Sequence, residues 1–274
     1  MEVRTELISS GQNPKIKGLI ALEEKSKVRQ EKGLFTVEGR REISHCAEMG
    51  YEIRAIFYCP DILGMDVRIA FNGQGFANTR WFEVTREVYA KIAYRSGTEG
   101  AIAEVRSRDH SLGSIHLSEN PLVVVLESVE KPGNLGAVLR SADAAGADAV
   151  IVCDPLTDLY NPNLIRSSIG AVFTVQCASC TSEECIAWLK KNGIRILTAQ
   201  LQNSEWYYDT DMKGGSAIVI GTESTGLTNR WREAADAHIR IPMLGRLDSL
   251  NASVSAAILL FEAVRQRNAE RQVI

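Results

Sequence analysis

Three short segments combine tight turns with side chains that can handle a proton or an anion. The first is Asn134-Leu135-Gly136-Ala137-Val138-Leu139-Arg140, directly after Pro132-Gly133. Asn134 is expected to cap a helix there, its side chain taking one of the orphan backbone donors. Leu135, Val138, Leu139 and Ala142 then trace the apolar stripe of that helix, and Arg140 falls off it. An arginine so placed can clamp an anion with its planar fork. The plainer alternative is a surface ion pair with Asp143 or Glu127. The second segment, Gly221-Thr222-Glu223-Ser224-Thr225-Gly226-Leu227, brackets an acid with two glycines, which permit a backbone to approach a ligand closely. Its spacing fits neither the Walker nor the dinucleotide fingerprint, so an uncharged or zwitterionic ligand suits it better than a polyphosphate. The third runs from Ile241-Pro242-Met243 to Ser249-Leu250-Asn251. A helix cap needs one of Ser249 and Asn251, which leaves the other spare.

The elements that must carry these segments read as two domains: 1–106, a polar linker 107–120, and 121–274. In the second, apolar runs at Leu122–Leu126, Ala149–Val152, Ile194–Leu197 and Ala217–Ile220 predict strands buried on both faces. Helical patterns at Leu135–Ala145, Asn163–Ile169 and Ser182–Lys191 alternate with them, so the class is α/β with a parallel sheet. Ligands in such sheets bind beyond the strand carboxyl ends, where all three segments lie. A last helix, Ala252–Gln266, spaces Val254, Ile258, Phe261 and Val264 on one stripe. The first domain alternates short strands (Leu34–Val37, Ile53–Tyr58, Trp81–Val84, Ala101–Val105) with helices, a small α/β unit.

Charge narrows the partners. The chain of 274 residues carries a net −3, yet residues 1–41 hold nine Lys/Arg against six Asp/Glu. A locally basic segment of this kind can meet phosphates or simply form a solvated helix face; charge alone favours the second. No apolar run reaches the ~18–20 residues of a membrane span, and the first residues have no apolar signal core, so a cytoplasmic protein is expected. Cys177, Cys180 and Cys185 raise the question of zinc, but no neighbouring ligand completes a tetrahedral set. Free thiols and no metal are expected.

In order and context, the three segments resemble the motifs of the SpoU (TrmH-like) branch of the SPOUT RNA methyltransferases. The likeness spans essentially residues 121–267. The first domain resembles that family's substrate-binding domain, through Val37-Glu38-Gly39 and Lys91-Ile92-Ala93-Tyr94-Arg95. Glu127 and Lys131 stand where many members have Asp. The resemblance implies a trefoil-knotted methyltransferase domain and a ribosomal-protein-like RNA-binding domain. It implies S-adenosylmethionine held by Ala199, Gly221, Ile241, Met243 and Leu250. It implies catalysis by Arg140, Asn134, Glu223, Ser249 and Asn251, and RNA contacts from Lys15, Lys17, Arg40, Arg41 and Arg95. The implied activity is 2′-O-ribose methylation of structured RNA by a homodimer, with ribosomal RNA ahead of transfer RNA. The alternatives are a tRNA methyltransferase and an RNA-binding assembly factor of this fold without catalysis. An unrelated dinucleotide enzyme is disfavoured by the missing glycine fingerprint. Arg140 could stabilise an alkoxide, fix a phosphate, or deprotonate transiently.

Overall fold

A computed structural model describes residues 5–94, 99–222, 224–246 and 249–268. The chain divides into two units, the first comprising residues up to Arg108 together with Asp158–Thr174. Its elements are β1 (Thr5–Ile8), α1 (Pro14–Glu24), α2 (Ser26–Lys32), β2 (Leu34–Glu38), α3 (Arg40–Glu48), β3 (Ile53–Tyr58), α4 (Pro60–Leu63), α5 (Val67–Ala70), β4 (Arg80–Val84), α6 (Arg86–Ile92) and β5 (Ala101–Arg106). The sheet order is β1-β4-β3-β5-β2. β5 runs antiparallel to both its neighbours, and the β1–β4 and β4–β3 pairs are parallel. Ile16 and Leu19 of α1 and Val88 and Ile92 of α6 pack on the sheet face that carries Phe57 and Phe82. Successive strand residues point to opposite faces. Trp81 therefore lies on the other face, with Phe76 against it, and α3 packs there, close to the turn that holds Gly75.

The segment 158–174 is a departure from the sequence reading, which put the helix Asn163–Ile169 in the second domain. Asp158 takes a paired hydrogen bond from Arg29, at 2.5 Å from Nη2 and 3.3 Å from Nε. Arg29 is buried and also donates to the Leu22 carbonyl at 2.7 Å. Tyr160 stacks on Phe35 with ring centroids 3.9 Å apart, and Phe173 closes the same aromatic cluster against Tyr51. Apolar periodicity finds a helix but not the surface that receives it.

The second unit contains β6 (Leu122–Glu127), α7 (Pro132–Ala145) and β7 (Ala149–Cys153). After α8 (Pro162–Ser168) and α9 (Ala171–Thr174), which belong to the first unit, come β8 (Gln176–Cys180), α10 (Ser182–Lys191), β9 (Arg195–Ala199), β10 (Glu205–Trp206), β11 (Ser216–Ile220), α11 (Asn229–Ala234), β12 (Ala237–Arg240) and α12 (Ala252–Asn268). Seven parallel strands are ordered β10-β12-β9-β11-β6-β7-β8. Every residue of β6, β7 and β11 is buried, as the continuous apolar runs predict.

The polar stretch expected as a linker is fastened along β8, an edge strand whose outer groups need partners. Ser179 donates to the His110 carbonyl at 2.8 Å, and Gln176 exchanges hydrogen bonds with the His116 backbone. Leu112, Ile115 and Leu117 pack against the core beneath. On α12, Ala252, Ala256, Leu259, Leu260 and Ala263 are buried, while Val254 and Phe261 of the anticipated stripe are exposed. Among the described residues no helix is long and apolar enough to cross a membrane.

In the first unit, burial pushes the Glu23 carboxyl up to about 7, with Glu38 and Glu24 adding repulsion. The folded protein therefore binds a proton there that the unfolded chain, at the ordinary 4.5, has already released. Stability from this group is fully present below pH 4.5 and is lost as pH rises through about 7. Glu23→Gln is expected to match the wild type in acid and to melt higher above neutrality; parallel melting curves across pH would check this.

Candidate functional site

Three loops at the carboxyl end of adjacent strands β12, β9 and β11 close around one cavity of about 370 Å³. Ala199, Gly221, Ile241, Met243 and Leu250, the five residues anticipated for the cofactor, all line it. Ser249 lies in the same wall. Sequence reasoning missed Gln200, Leu201, Arg232 and Ser255, which also face the cavity. Two of these carry polar atoms that are buried without a hydrogen-bond partner among the described residues, Gln200 Oε1 and Arg232 Nε. Buried polar groups are rarely left unpaired, so both atoms are available to a partner that enters the cavity. Arg240, also in the wall, is by contrast already committed: it stacks over Trp206 at 4.2 Å and donates to the Ser204 carbonyl.

The loop after β11 folds back on itself. Thr222 and Gly226 form an isolated bridge, and the Gly226 amide donates to the Thr222 carbonyl at 3.1 Å. Thr222 Oγ1 accepts from the Thr225 amide at 3.1 Å. Gly226 has φ +66°, a conformation that favours glycine. A Cβ on Gly221 would overlap the Gly226 carbonyl and lie 2.6 Å from the Leu227 amide nitrogen. The glycine at 221 is thus required first by the turn itself, and the ligand space is a second demand.

The loop's far end is tied to β6. Glu127 is buried, and its carboxylate accepts from the Thr228 amide at 2.9 Å and the Thr228 hydroxyl at 2.7 Å. Ser182 donates to Asp154 at 2.5 Å and accepts from the Trp231 indole at 3.0 Å. This corrects the surface reading of Glu127 and removes it as an ion-pair partner for Arg140. The signal was present: an acid closing an otherwise wholly apolar strand.

A second, smaller hollow of about 140 Å³ adjoins the first and shares Gly221, Thr222, Ser224 and Ala252 with it. Asn134 and Lys131 form its other side. α7 begins at Pro132, with Lys131 in the cap position and no side-chain cap, so Asn134 does not cap it. Proline at the first helical position starts the helix instead, and Asn134 points its side-chain oxygen at Asn251, which donates at 3.1 Å. Asn251 is itself the cap of α12, accepting from the Ser253 amide at 3.0 Å and hydroxyl at 2.6 Å. Leu135, Val138, Leu139 and Ala142 are buried as expected, and Arg140 is exposed. Among the described residues it has no hydrogen-bond or ion-pair partner. Glu223 and Arg95 lie outside the described residues.

Among the described residues, the basic side chains anticipated for RNA do not form one patch. Lys15 is paired with Glu6 at 2.7 Å and sits over the Phe82 ring. Lys17 and Arg41 are exposed, while the Arg40 guanidinium contacts the Met65 sulfur. The lysines belong to α1 and the arginines to α3, on opposite sheet faces.

Comparison with known proteins gives two family matches: the SpoU rRNA Methylase family over residues 121–261 and the MRM3-like substrate binding domain over residues 13–103. The 23S rRNA (uridine(2479)-2′-O)-methyltransferase of Streptomyces viridochromogenes is 30% identical over 87% of this chain and 85% of its own length. The 23S rRNA (guanosine-2′-O-)-methyltransferase RlmB of Ralstonia nicotianae is 34% identical over 70% of this chain and 79% of its own. The AdoMet-bound rRNA methyltransferase of Sinorhizobium meliloti superposes with a TM-score of 0.86 at 30% identity, covering 98% of this chain and 99% of that one.

Glu127→Ala would leave the Thr228 donors without their acceptor. A loss of about 2–3 kcal/mol is expected, read as a lower midpoint in denaturant melts, whereas Glu127→Gln keeps one acceptor oxygen and is expected to lose less than half of that.

Proposed function

We propose that this chain, which belongs to the SpoU rRNA methylase family, methylates a ribose 2′-hydroxyl of ribosomal RNA with S-adenosylmethionine as donor. The observation that carries the proposal is the pair of joined hollows. The larger has a glycine-built turn and two unpaired polar atoms in its wall. The smaller opens beside Asn134 across their shared edge of Gly221, Thr222 and Ser224. When bound, S-adenosylmethionine supplies an electrophilic sulfonium methyl. Ala199, Gly221, Ile241, Met243 and Leu250 would hold it, with Gln200 and Arg232 taking polar groups of the ligand.

The remaining work falls to the chain's own residues. A 2′-hydroxyl is a weak nucleophile, so it must be aligned and its proton managed. The hydrogen bond from Asn251 holds the Asn134 side chain in the wall of the smaller hollow, and Ser249 lies in the wall of the larger one. Arg140, uncommitted and rigidly borne on α7, would hold the neighbouring phosphate and stabilise the oxygen as it gains charge. Glu223 completes this set in the reading. The ribose is common to all nucleotides, and the relatives are named for uridine and guanosine respectively. Base choice then falls to surfaces away from the methyl, with the first unit as an RNA-binding domain. Relatives named for 23S rRNA favour ribosomal over transfer RNA, and the presence of Arg140, Glu223 and Asn251 favours an active enzyme over an inert assembly factor. The proposal includes a trefoil knot in the second unit, a cytoplasmic location and a homodimer; the exposed Val254 and Phe261 on α12 give a second copy an apolar face to cover.

Arg140→Ala leaves no core cavity, so stability should change by within about 0.5 kcal/mol and cofactor binding should persist. Methyl transfer should fall ~100–1,000-fold, as when one positioned donor is lost from an oxyanion site. Arg140→Lys should fail nearly as badly, since an ammonium lacks the planar fork. Single-turnover methylation of ribosomal RNA at saturating substrate tests both; a near-normal rate for the alanine variant would return Arg140 to a surface role.

Gly221→Val should abolish S-adenosylmethionine binding in calorimetry while the global fold survives, because its branched side chain strikes the Gly226–Leu227 backbone. Chelator should leave wild-type binding unchanged.

RNA affinity should fall steeply with salt as phosphate contacts release counterions. Replacing Lys17 and Arg41 together by alanine should weaken binding and lower the salt slope by about 2. A truncation at Leu112 is a poorer test, since it strips Tyr160 and Phe173 of their aromatic partners in the first unit.

A further inference from the structure

Three cysteines that the methyl-transfer reading leaves unused converge in the second unit. Cys153 is the last residue of β7, Cys180 the last of β8, and Cys185 lies one turn into α10. Cys153 and Cys180 are register partners on neighbouring parallel strands, so their side chains leave the same sheet face. The chain then turns through the Thr181 capping box, which brings Cys185 back over them. All three sulfurs lie within 4.8 Å of one another. Cys177 lies three residues before Cys180, on the opposite face, and is not part of the group. This is why the spacing of Cys177, Cys180 and Cys185 gave no closed set: the third ligand is supplied from a neighbouring strand, 27 residues upstream of Cys180.

We infer that Cys153, Cys180 and Cys185 form a binding site for one thiophilic d¹⁰ cation, of the zinc class, with the open position toward solvent beside Cys180. Thiolate sets select such ions over hard cations. A trigonal or tetrahedral set with bonds of about 2.3 Å needs sulfurs about 3.8–4.0 Å apart, a shift of roughly half an ångström per sulfur from the observed limit. Cys153 and Cys185 are fully buried and Cys180 is half-buried, which leaves an entry path. The Asp154 carboxylate nearby is already engaged by the Ser182 amide and hydroxyl, so water completes the coordination. The amino end of α10 lies beside the cluster, but its first turn carries Glu183 and Glu184 and Asp154 is adjacent, so a bound cation would be the main counter-charge to the thiolates. On uptake each S–H bond breaks, its proton passes to solvent, and a metal–sulfur bond forms. None of the three residues lines the cofactor cavity. The ion would clamp the ends of β7 and β8 to α10, next to Glu127, the register partner of Cys153.

The reduced full-length protein, stripped of metal, would be titrated with Co²⁺ and then Zn²⁺. The inference expects thiolate-to-cobalt charge-transfer absorption saturating at one ion per chain, displaced by Zn²⁺, and a higher melting temperature in the loaded protein. Cys180→Ser replaces a half-buried side chain and should fold; it should weaken Zn²⁺ binding by more than the ~10–100-fold typical of losing an outer-sphere partner. Cys177→Ala should keep the full absorption. A wild-type protein that shows no stoichiometric cobalt absorption overturns the inference, and so does equal absorption in Cys180→Ser.

Discussion

Glu127 ends a strand whose other five residues are Leu122-Val123-Val124-Val125-Leu126, all buried. A carboxylate in that position is destabilising unless strong donors meet it. Thr228 meets it with both its amide and its hydroxyl. Thr228 is also the residue from which α11 begins, so one interaction fixes the entry to that helix and the exit from the loop 221–227. The loop's other end is held by the contact of Gly221 with the Gly226–Leu227 backbone. Both ends of the loop are thus held by backbone or buried side-chain contacts.

The same economy of positions governs the helices beyond the sheet. α7 and α12 pack together, and their amino ends carry Asn134 and Asn251. Each asparagine is partly committed: Asn251 caps α12 with its oxygen and spends its nitrogen on Asn134. The sequence question of whether Ser249 or Asn251 was the spare cap resolves here, because Asn251 performs both tasks through opposite ends of one amide. Ser249 is thereby left to the cavity wall.

The parallel sheet was legible because its central strands are apolar on both faces, a pattern with few other meanings in a run of five or six residues. The five residues that the family resemblance assigned to the cofactor come from separate segments in a characteristic order, and the fold brings them to one cavity. Glu127 was harder. Its charge suggested surface, and only the three-dimensional partner Thr228, 101 residues away, turns it inward. The attachment of 158–174 was invisible for the same reason, since a salt bridge from Arg29 and a stack on Phe35 cross more than 120 residues. Polar composition marks the stretch 107–120, in which the boundary between the two units falls, but it does not show that part of that stretch covers the open edge of β8. On α12 the periodicity found an apolar stripe, but the buried one is made by Leu259 and Leu260 together with small alanines, and hydrophobicity scales weight Val254 and Phe261 above those alanines.

The fold removes one of the two ion-pair partners that the sequence offered Arg140. Glu127 is turned inward, so it cannot neutralise the guanidinium. Leu135, Val138, Leu139 and Ala142 lock the helix face opposite, so the backbone that carries Arg140 is rigid although the side chain is exposed. An unpaired cation on a rigid element needs no ion pair broken before it meets an anion. That combination is what the role proposed for Arg140 requires, since its task would arise only when negative charge develops nearby. A pre-formed salt bridge would have to be exchanged at the moment of reaction, and the exchange would subtract from the stabilisation the arginine could give.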